Sequence, residues 1–216
     1  MIVYWILLLI VAFVGYITGS VSTLRVASRF VFHKNLRRLG RGNIWISNFR
    51  RLYGWWGFGK LLLTEAVKDL IPILLGLGLL AIKGHGAVGA AFGGFCMLMG
   101  RLWPVFNRLK GTHHGCVAMV IAALSVDISL GASAAVVMLV VIWFTRYLSL
   151  GAIAGAVIAI VTALLVVDDR LCMLLSIFCS CIVLLYHVPA LLRLSLGREE
   201  RLSFEQDITY KFDENF

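Results

Sequence analysis

Charge is scarce in this 216-residue chain: 14% of its residues are Asp, Glu, Lys or Arg, whereas 61% are hydrophobic. A soluble domain carries about one quarter charged residues, so this composition excludes a water-soluble globule. With a mean hydropathy of +0.93 it also excludes intrinsic disorder and collagen-like architecture. The five cysteines (Cys96, Cys116, Cys172, Cys179 and Cys181) form no CxxC pair and lie in apolar runs. They read as small buried hydrophobes, and no disulfide, metal site or cofactor is expected. No basic stretch precedes the first apolar run, so the N-terminal segment reads as a retained helix rather than a cleaved signal peptide. Acidic side chains are few, eleven against twenty basic. Nowhere is there room for a separate soluble domain.

What fills the chain instead is a series of apolar runs. A membrane-spanning helix takes about 20 such residues, and the runs fall near 1–24, 57–82, 86–100, 115–130, 132–148, 150–167 and 171–192. The expected fold class is all-α: a polytopic membrane protein of about seven transmembrane helices. One integral membrane domain is expected over residues 1–216, with a short tail from residue 193. The third and fourth runs are short, and read as little-tilted spans or as a paired re-entrant hairpin. Small residues four apart at Gly15/Gly19, Gly89/Gly93 and Gly151/Gly155 suit close approach of helix backbones in lipid.

Basic residues are distributed unevenly between the two sides. Arg25, Arg29, Lys34, Arg37, Arg38, Arg41, Arg50 and Arg51 follow the first run; Arg101, Arg108 and Lys110 follow the third; Arg146 follows the fifth; and Arg193, Arg198, Arg201 and Lys211 lie in the tail. The opposite connections hold only Lys83 and Arg170. Because cytoplasmic loops collect Lys and Arg, the N-terminus is expected outside and the tail in the cytoplasm. The net charge of +9 is then one basic membrane face, not a nucleic-acid signature.

Candidate chemistry lies on that face. Lys60, Glu65, Lys68 and Asp69 interrupt the second run; at 100° per residue they fall at about 0°, 140°, 80° and 180°, one half of a helix. Each would cost about 2.5–3.5 kcal/mol facing lipid at mid-bilayer, so this half is expected to face protein or a wet cleft. A Glu65–Lys68 pair with snorkelling ends is the plainer alternative. The stretch from Gly40 to Arg51 joins glycines, Asn43, Asn48 and arginines, a mixture suited to a phosphorylated polar substrate; it suits anionic lipid headgroups as well. The stretch from Gly100 to Gly115 adds Arg101, Lys110, His113 and His114, and the tail begins with His187, Arg193 and Glu199.

In this order the pieces resemble the bacterial membrane acyl-phosphate:glycerol-3-phosphate acyltransferases (the PlsY type). That family's motifs run G-S-G-N-x-G-A-T-N-x-x-R, D-x-x-K-G-x-x-P, G-H-x-x-P-V-F-x-x-F-K-G-G-K-G, R-Y-x-S-L and H-R-x-N-x-x-R-L-x-x-G-x-E. Cognates of all five occur over about residues 19–200, beginning with Gly19-Ser20. Asn43, Asn48, an arginine of the Arg50-Arg51 pair, Lys68, Pro72, Pro104-Val105-Phe106, Lys110-Gly111, Arg146-Tyr147, Ser149-Leu150, His187, Arg193, Gly197 and Glu199 match. Arg41 stands for a serine, Glu65 for an aspartate, Asp69 for a glycine, Arg101 for a histidine, Thr112-His113-His114 for Gly-Lys-Gly and Ala190 for an asparagine.

The resemblance implies seven helices, an outside N-terminus and a cytoplasmic active site in a bacterial inner membrane. It implies acyl transfer from acyl phosphate to glycerol 3-phosphate or a related phosphorylated acceptor, giving lysophosphatidate for phospholipid synthesis. Arg50, Lys68, Lys110 and Arg193 would then bind phosphate, joined by Arg41 and Arg101; Asn43 and Asn48 would orient the acceptor, and Glu65 would line the same site. His113 or His187 would serve as base. Two other readings remain open: a catalytically silent member that binds an anionic phosphate, a lipid or a membrane protein partner, and a small transporter. Transporters usually show internal repeats, whereas the charges here gather at one end.

Overall fold

A computed structural model describes residues 2–26, 46–107, 109, 115–199 and 201–202, with side chains described outside 24–25 and 46–53. All its described regular elements are helical: α1 (Ile2–Ser20), α2 (Thr23–Val26), α3 (Ile46–Ala81), α4 (Gly86–Leu102), α5 (Gly115–Leu124), α6 (Ile128–Thr145), α7 (Leu148–Val166) and α8 (Arg170–Ser195). A 3-10 turn, Val105–Asn107, follows α4. Five stretches are long and apolar enough to cross a membrane: α1, α4 with its following turn, α6, α7 and α8. Large apolar side chains such as Trp5, Phe13, Trp143, Phe144 and Leu165 lie exposed around them, as lipid-facing surfaces require.

Two boundaries differ from the apolar-run reading. The fourth run was expected to continue to residue 130, but α5 stops at Leu124. Asp127 starts α6 instead, its carboxylate accepting from the Ser129 N–H at 2.7 Å, the Leu130 N–H at 3.2 Å and the Ser129 hydroxyl. Such a cap supplies the acceptors that the first turn of a helix lacks. Upstream, α3 begins at Ile46 rather than near 57. Ile46, Phe49 and Tyr53 recur at helical spacing, although Asn48, Arg50 and Arg51 interrupt the apolar run. This leading piece meets the rest of α3 at Gly54, whose φ of 66° and ψ of −168° suit a residue without a Cβ.

Hydrogen bonds from Ser129 and Leu130 hold the Asp127 carboxyl below its ordinary range. Since its folded-state pKa is depressed, the associated stability is present above the unfolded value and is lost as pH falls through the folded one. Asparagine at this position keeps the cap but does not titrate. Asp127→Asn is therefore expected to shrink the drop in thermal unfolding midpoint of the purified protein below about pH 4.

α4 is the shared element of the packing. It lies against α1 and α3 on one side and α5 and α8 on the other, while α6, α7 and α8 pack successively. Met97, Leu98 and Leu102 of α4 join Met119, Leu130, Met138, Ala156 and Val183 in the buried core. On its other side the contact is backbone against backbone. A Cβ on Gly76 of α3 would strike the Gly89 carbonyl of α4, and one on Gly89 would strike the Gly76 carbonyl; Gly93 faces the Pro72 carbonyl. Gly19 of α1 meets the Met97 carbonyl, and Gly100 of α4 meets the Tyr16 carbonyl. Beyond α8, Gly197 (φ 67°) turns the chain. The Leu202 N–H then donates to the Arg146 carbonyl at 2.7 Å, and Arg201 Nε donates to the Tyr147 hydroxyl at 2.8 Å.

Candidate active site

The charged half of α3 meets α4. Arg101, near the end of α4, places Nη1 2.5 Å from Glu65 Oε2 and Nη2 2.5 Å from Asp69 Oδ1. Lys68 Nζ lies 3.1 Å from Glu65 Oε2 and 3.9 Å from Asp69 Oδ1, and donates to the Val21 carbonyl at 2.7 Å. Glu65, Asp69 and Arg101 are 5%, 0% and 4% exposed. Two carboxylates and two cations make a formally neutral group, the condition under which charges remain buried away from water. The half of α3 carrying Leu63, Val67 and Leu70 is exposed, in agreement with the angular arithmetic. Lys60 departs from it: it is exposed at the start of the same face rather than gathered with the others.

Beside the quartet is a pocket lined by Gly19, Ser20, Val21 and Ser22 from the end of α1, by Glu65 and Arg101, and by Pro104 and Asn107 beyond α4. Ser20 Oγ and Arg101 Nε are buried, and neither has a hydrogen-bond partner among the described residues. Buried polar atoms are nearly always paired, so these two call for a small polar partner, a water molecule or a ligand hydroxyl.

The ends of α1, α4 and α8 converge around Trp103. Its carbonyl accepts from the Tyr16 hydroxyl at 2.8 Å, and its ring meets Tyr186 edge-on at 6.3 Å. Next to Tyr186, His187 is 1% exposed, with Nδ1 2.8 Å from the Val183 carbonyl. A carbonyl only accepts, so this contact puts the proton on Nδ1 and leaves a lone pair on Nε2. Arg193 Nε donates to Glu199 Oε2 at 2.8 Å.

Of the residues expected at a site, Glu65, Lys68 and Arg101 thus come together, while His187 and Arg193 belong to the end of α8. Lys68 and Arg193 were expected to present charge to phosphate; each is paired with a carboxylate, in two separate groups. Asn48 and Arg50 lie on the first turns of α3, with only their backbone described. Arg41, Asn43, Lys110 and His113 lie outside the described residues. Asp69 was counted in the charged half of α3 but was given no role of its own. Its sequence signal was an acid inside an apolar run, but its partner stands 32 positions away.

Comparison with known proteins decides the family. The model of the family described as glycerol-3-phosphate acyltransferase matches residues 9–197. The chain belongs to the glycerol-3-phosphate acyltransferase family. Relatives of that name include one from Thermoanaerobacter sp., 25% identical over 91% of this chain and 96% of its own length. Another, from Syntrophotalea carbinolica, is 30% identical over 87% of this chain and 93% of its own. The fold is that of the crystal structure of PlsY, an integral membrane glycerol 3-phosphate acyltransferase, in its glycerol 3-phosphate form. The two superpose with a TM-score of 0.74 at 24% identity, covering 91% of this chain and 96% of that one. Within the acyltransferase motifs, two of the departures noted above prove to be partners. Asp69, in place of glycine, faces Arg101, in place of histidine, across 2.5 Å. A new buried cation is matched by a new buried anion.

Proposed function

We propose that this acyltransferase moves a fatty acyl group from acyl phosphate to the primary hydroxyl of glycerol 3-phosphate, releasing phosphate and forming lysophosphatidate for phospholipid synthesis. The observation that carries this reading is the family match across residues 9–197, supported by a buried charged group that includes the motif residue Lys68 and, separately, by the buried motif residue His187 near the end of α8. Acyl phosphate is a mixed anhydride, activated at its carbonyl, and phosphate leaves readily. The protein's task is therefore to hold two phosphorylated molecules in line and to take one proton. Bringing reactants together can supply about 7–11 kcal/mol of a barrier. Charge-assisted bonds from Arg41, Arg50, Lys110 and Arg193, with Asn43 and Asn48 orienting the acceptor, hold the phosphates. The lone pair on His187 Nε2 accepts the hydroxyl proton, with His113 as the other candidate.

The basic end faces the cytoplasm, where both substrates are soluble or reachable from the inner leaflet, and the membrane is the bacterial inner membrane. The test uses detergent-purified protein with palmitoyl phosphate and radiolabelled glycerol 3-phosphate. Wild type should form radiolabelled lysophosphatidate, and Arg50→Ala should lower kcat/KM about 10- to 100-fold, as loss of a charge-assisted bond predicts. Absence of product above that control, with saturable phosphate binding retained, would favour a silent family member instead. Arg101 in the place of a titratable histidine is the observation on the side of that second reading. The transporter alternative gains nothing from the family match.

A further inference from the structure

Building on the acyl-transfer reading, we propose that the pocket at the end of α1 recognises the uncharged secondary hydroxyl of the glycerol phosphate acceptor, and not its phosphate, through Ser20 and Arg101. Phosphate is an acceptor-only group carrying about −1.5 to −2 charges near neutral pH. Placed in this pocket it would meet Glu65 in the wall, and among the described residues the nearby cations Lys68 and Arg101 are already matched by the Glu65 and Asp69 carboxylates. Attraction for an anion is weak where the surrounding charges cancel. An alcohol has different requirements, since it donates one hydrogen bond and accepts others. Ser20, 2% exposed, supplies an Oγ that does either, and Arg101 supplies an Nε–H that donates; neither atom has a partner among the described residues. Asp69 is a positioning residue here: by holding Nη2 it fixes the plane of the guanidinium and hence the direction of Nε–H.

The walls are firm enough to make the fit selective. Gly19 and Gly100 put α1 and α4 in backbone contact beside Ser20, at the Met97 and Tyr16 carbonyls, so the pocket cannot close to pair its own polar atoms. A site that leaves buried polar groups unpaired when a substrate lacks its hydroxyl discriminates strongly against that substrate.

The experiment compares glycerol 3-phosphate with propane-1,3-diol monophosphate, which keeps the phosphate and the reacting primary hydroxyl but lacks the secondary one. Palmitoyl phosphate is the donor in both arms, with the full chain in detergent. Wild type is expected to prefer glycerol 3-phosphate by about 10- to 100-fold in kcat/KM. Ser20→Ala should reduce that preference to within about threefold, by raising KM for glycerol 3-phosphate while leaving the diol phosphate unchanged. Ser20→Thr, which keeps the hydroxyl, should retain the preference. Equal use of both acceptors by wild type, or a Ser20→Ala loss shared equally by both, would overturn the proposal. If wild type makes no product from either acceptor, the acyl-transfer reading fails first. Calorimetric binding of the same two phosphates then still decides whether the pocket reads a hydroxyl.

Discussion

Arg101→Gln is expected to be among the most damaging single substitutions in the protein, with a loss of about 3–5 kcal/mol in folding stability, the usual penalty for breaking a buried ion pair from one side. The quartet of Glu65, Lys68, Asp69 and Arg101 is formally neutral and nearly closed to solvent. Taking away the guanidinium leaves two carboxylates facing one ammonium in a low-dielectric interior, and neither oxygen can turn to water. Asp69→Asn alone errs in the opposite direction, leaving one cation in excess. The double variant Asp69→Asn/Arg101→Gln restores neutrality and replaces the ion pair by two amides that still hydrogen-bond. It should recover most of what either single change loses, giving a coupling energy well above the 0.3–0.5 kcal/mol scatter of independent sites. Thermal unfolding of the four proteins in one detergent measures the cycle. Additive losses would mean that the two side chains do not depend on one another.

The second large effect concerns glycine. Gly76→Ala should destabilise the protein by about 1–3 kcal/mol, the scale of overpacking, even though alanine is the better helix former by about 1 kcal/mol. The new methyl would land on the Gly89 carbonyl, and a carbonyl inside a helix cannot rotate away as a side-chain tip can. The two helices would have to part along their whole crossing. Gly78→Ala, two residues further along α3, is the control, because nothing lies within 4 Å of its Cβ. There the helix-propensity gain should appear unopposed, leaving the variant as stable as wild type or more so. The same unfolding assay compares them, and equal behaviour of Gly76→Ala and Gly78→Ala would remove the backbone contact as their distinguishing feature.

Much of the helical framework can be read from the sequence because lipid imposes a simple rule: every backbone polar group must be satisfied within the helix itself. The apolar runs therefore mark α1, α4, α6, α7 and α8 closely, and the spaced glycines mark the crossings at Gly15, Gly19, Gly89 and Gly93. What escapes is whatever depends on hydrogen bonds across a break in a run. Asp127 is one acid among apolar residues until its carboxylate is seen under the first turn of α6. The beginning of α3 is hidden for a related reason, since Asn48, Arg50 and Arg51 on one side of a helix mask Ile46, Phe49 and Tyr53 on another. The site is half legible. The 100° periodicity gathers Glu65, Lys68 and Asp69, but nothing local to Arg101 shows that α4 carries it into their reach. The local Glu65–Lys68 pair is among the readings the sequence offers, but a sequence count treats Arg101 as a free cation, and its pairing with Glu65 and Asp69 is a tertiary matter.

The seating of α4 limits how the protein can move during turnover. With main chain pressed on main chain at Gly19 and Gly100 between α1 and α4, and at Gly76, Gly89 and Gly93 between α3 and α4, rocking of one helix over another would collide carbonyls with Cα atoms. Any opening that admits an acyl chain or discharges product must therefore leave these contacts in place, with the three-helix wedge travelling as one body.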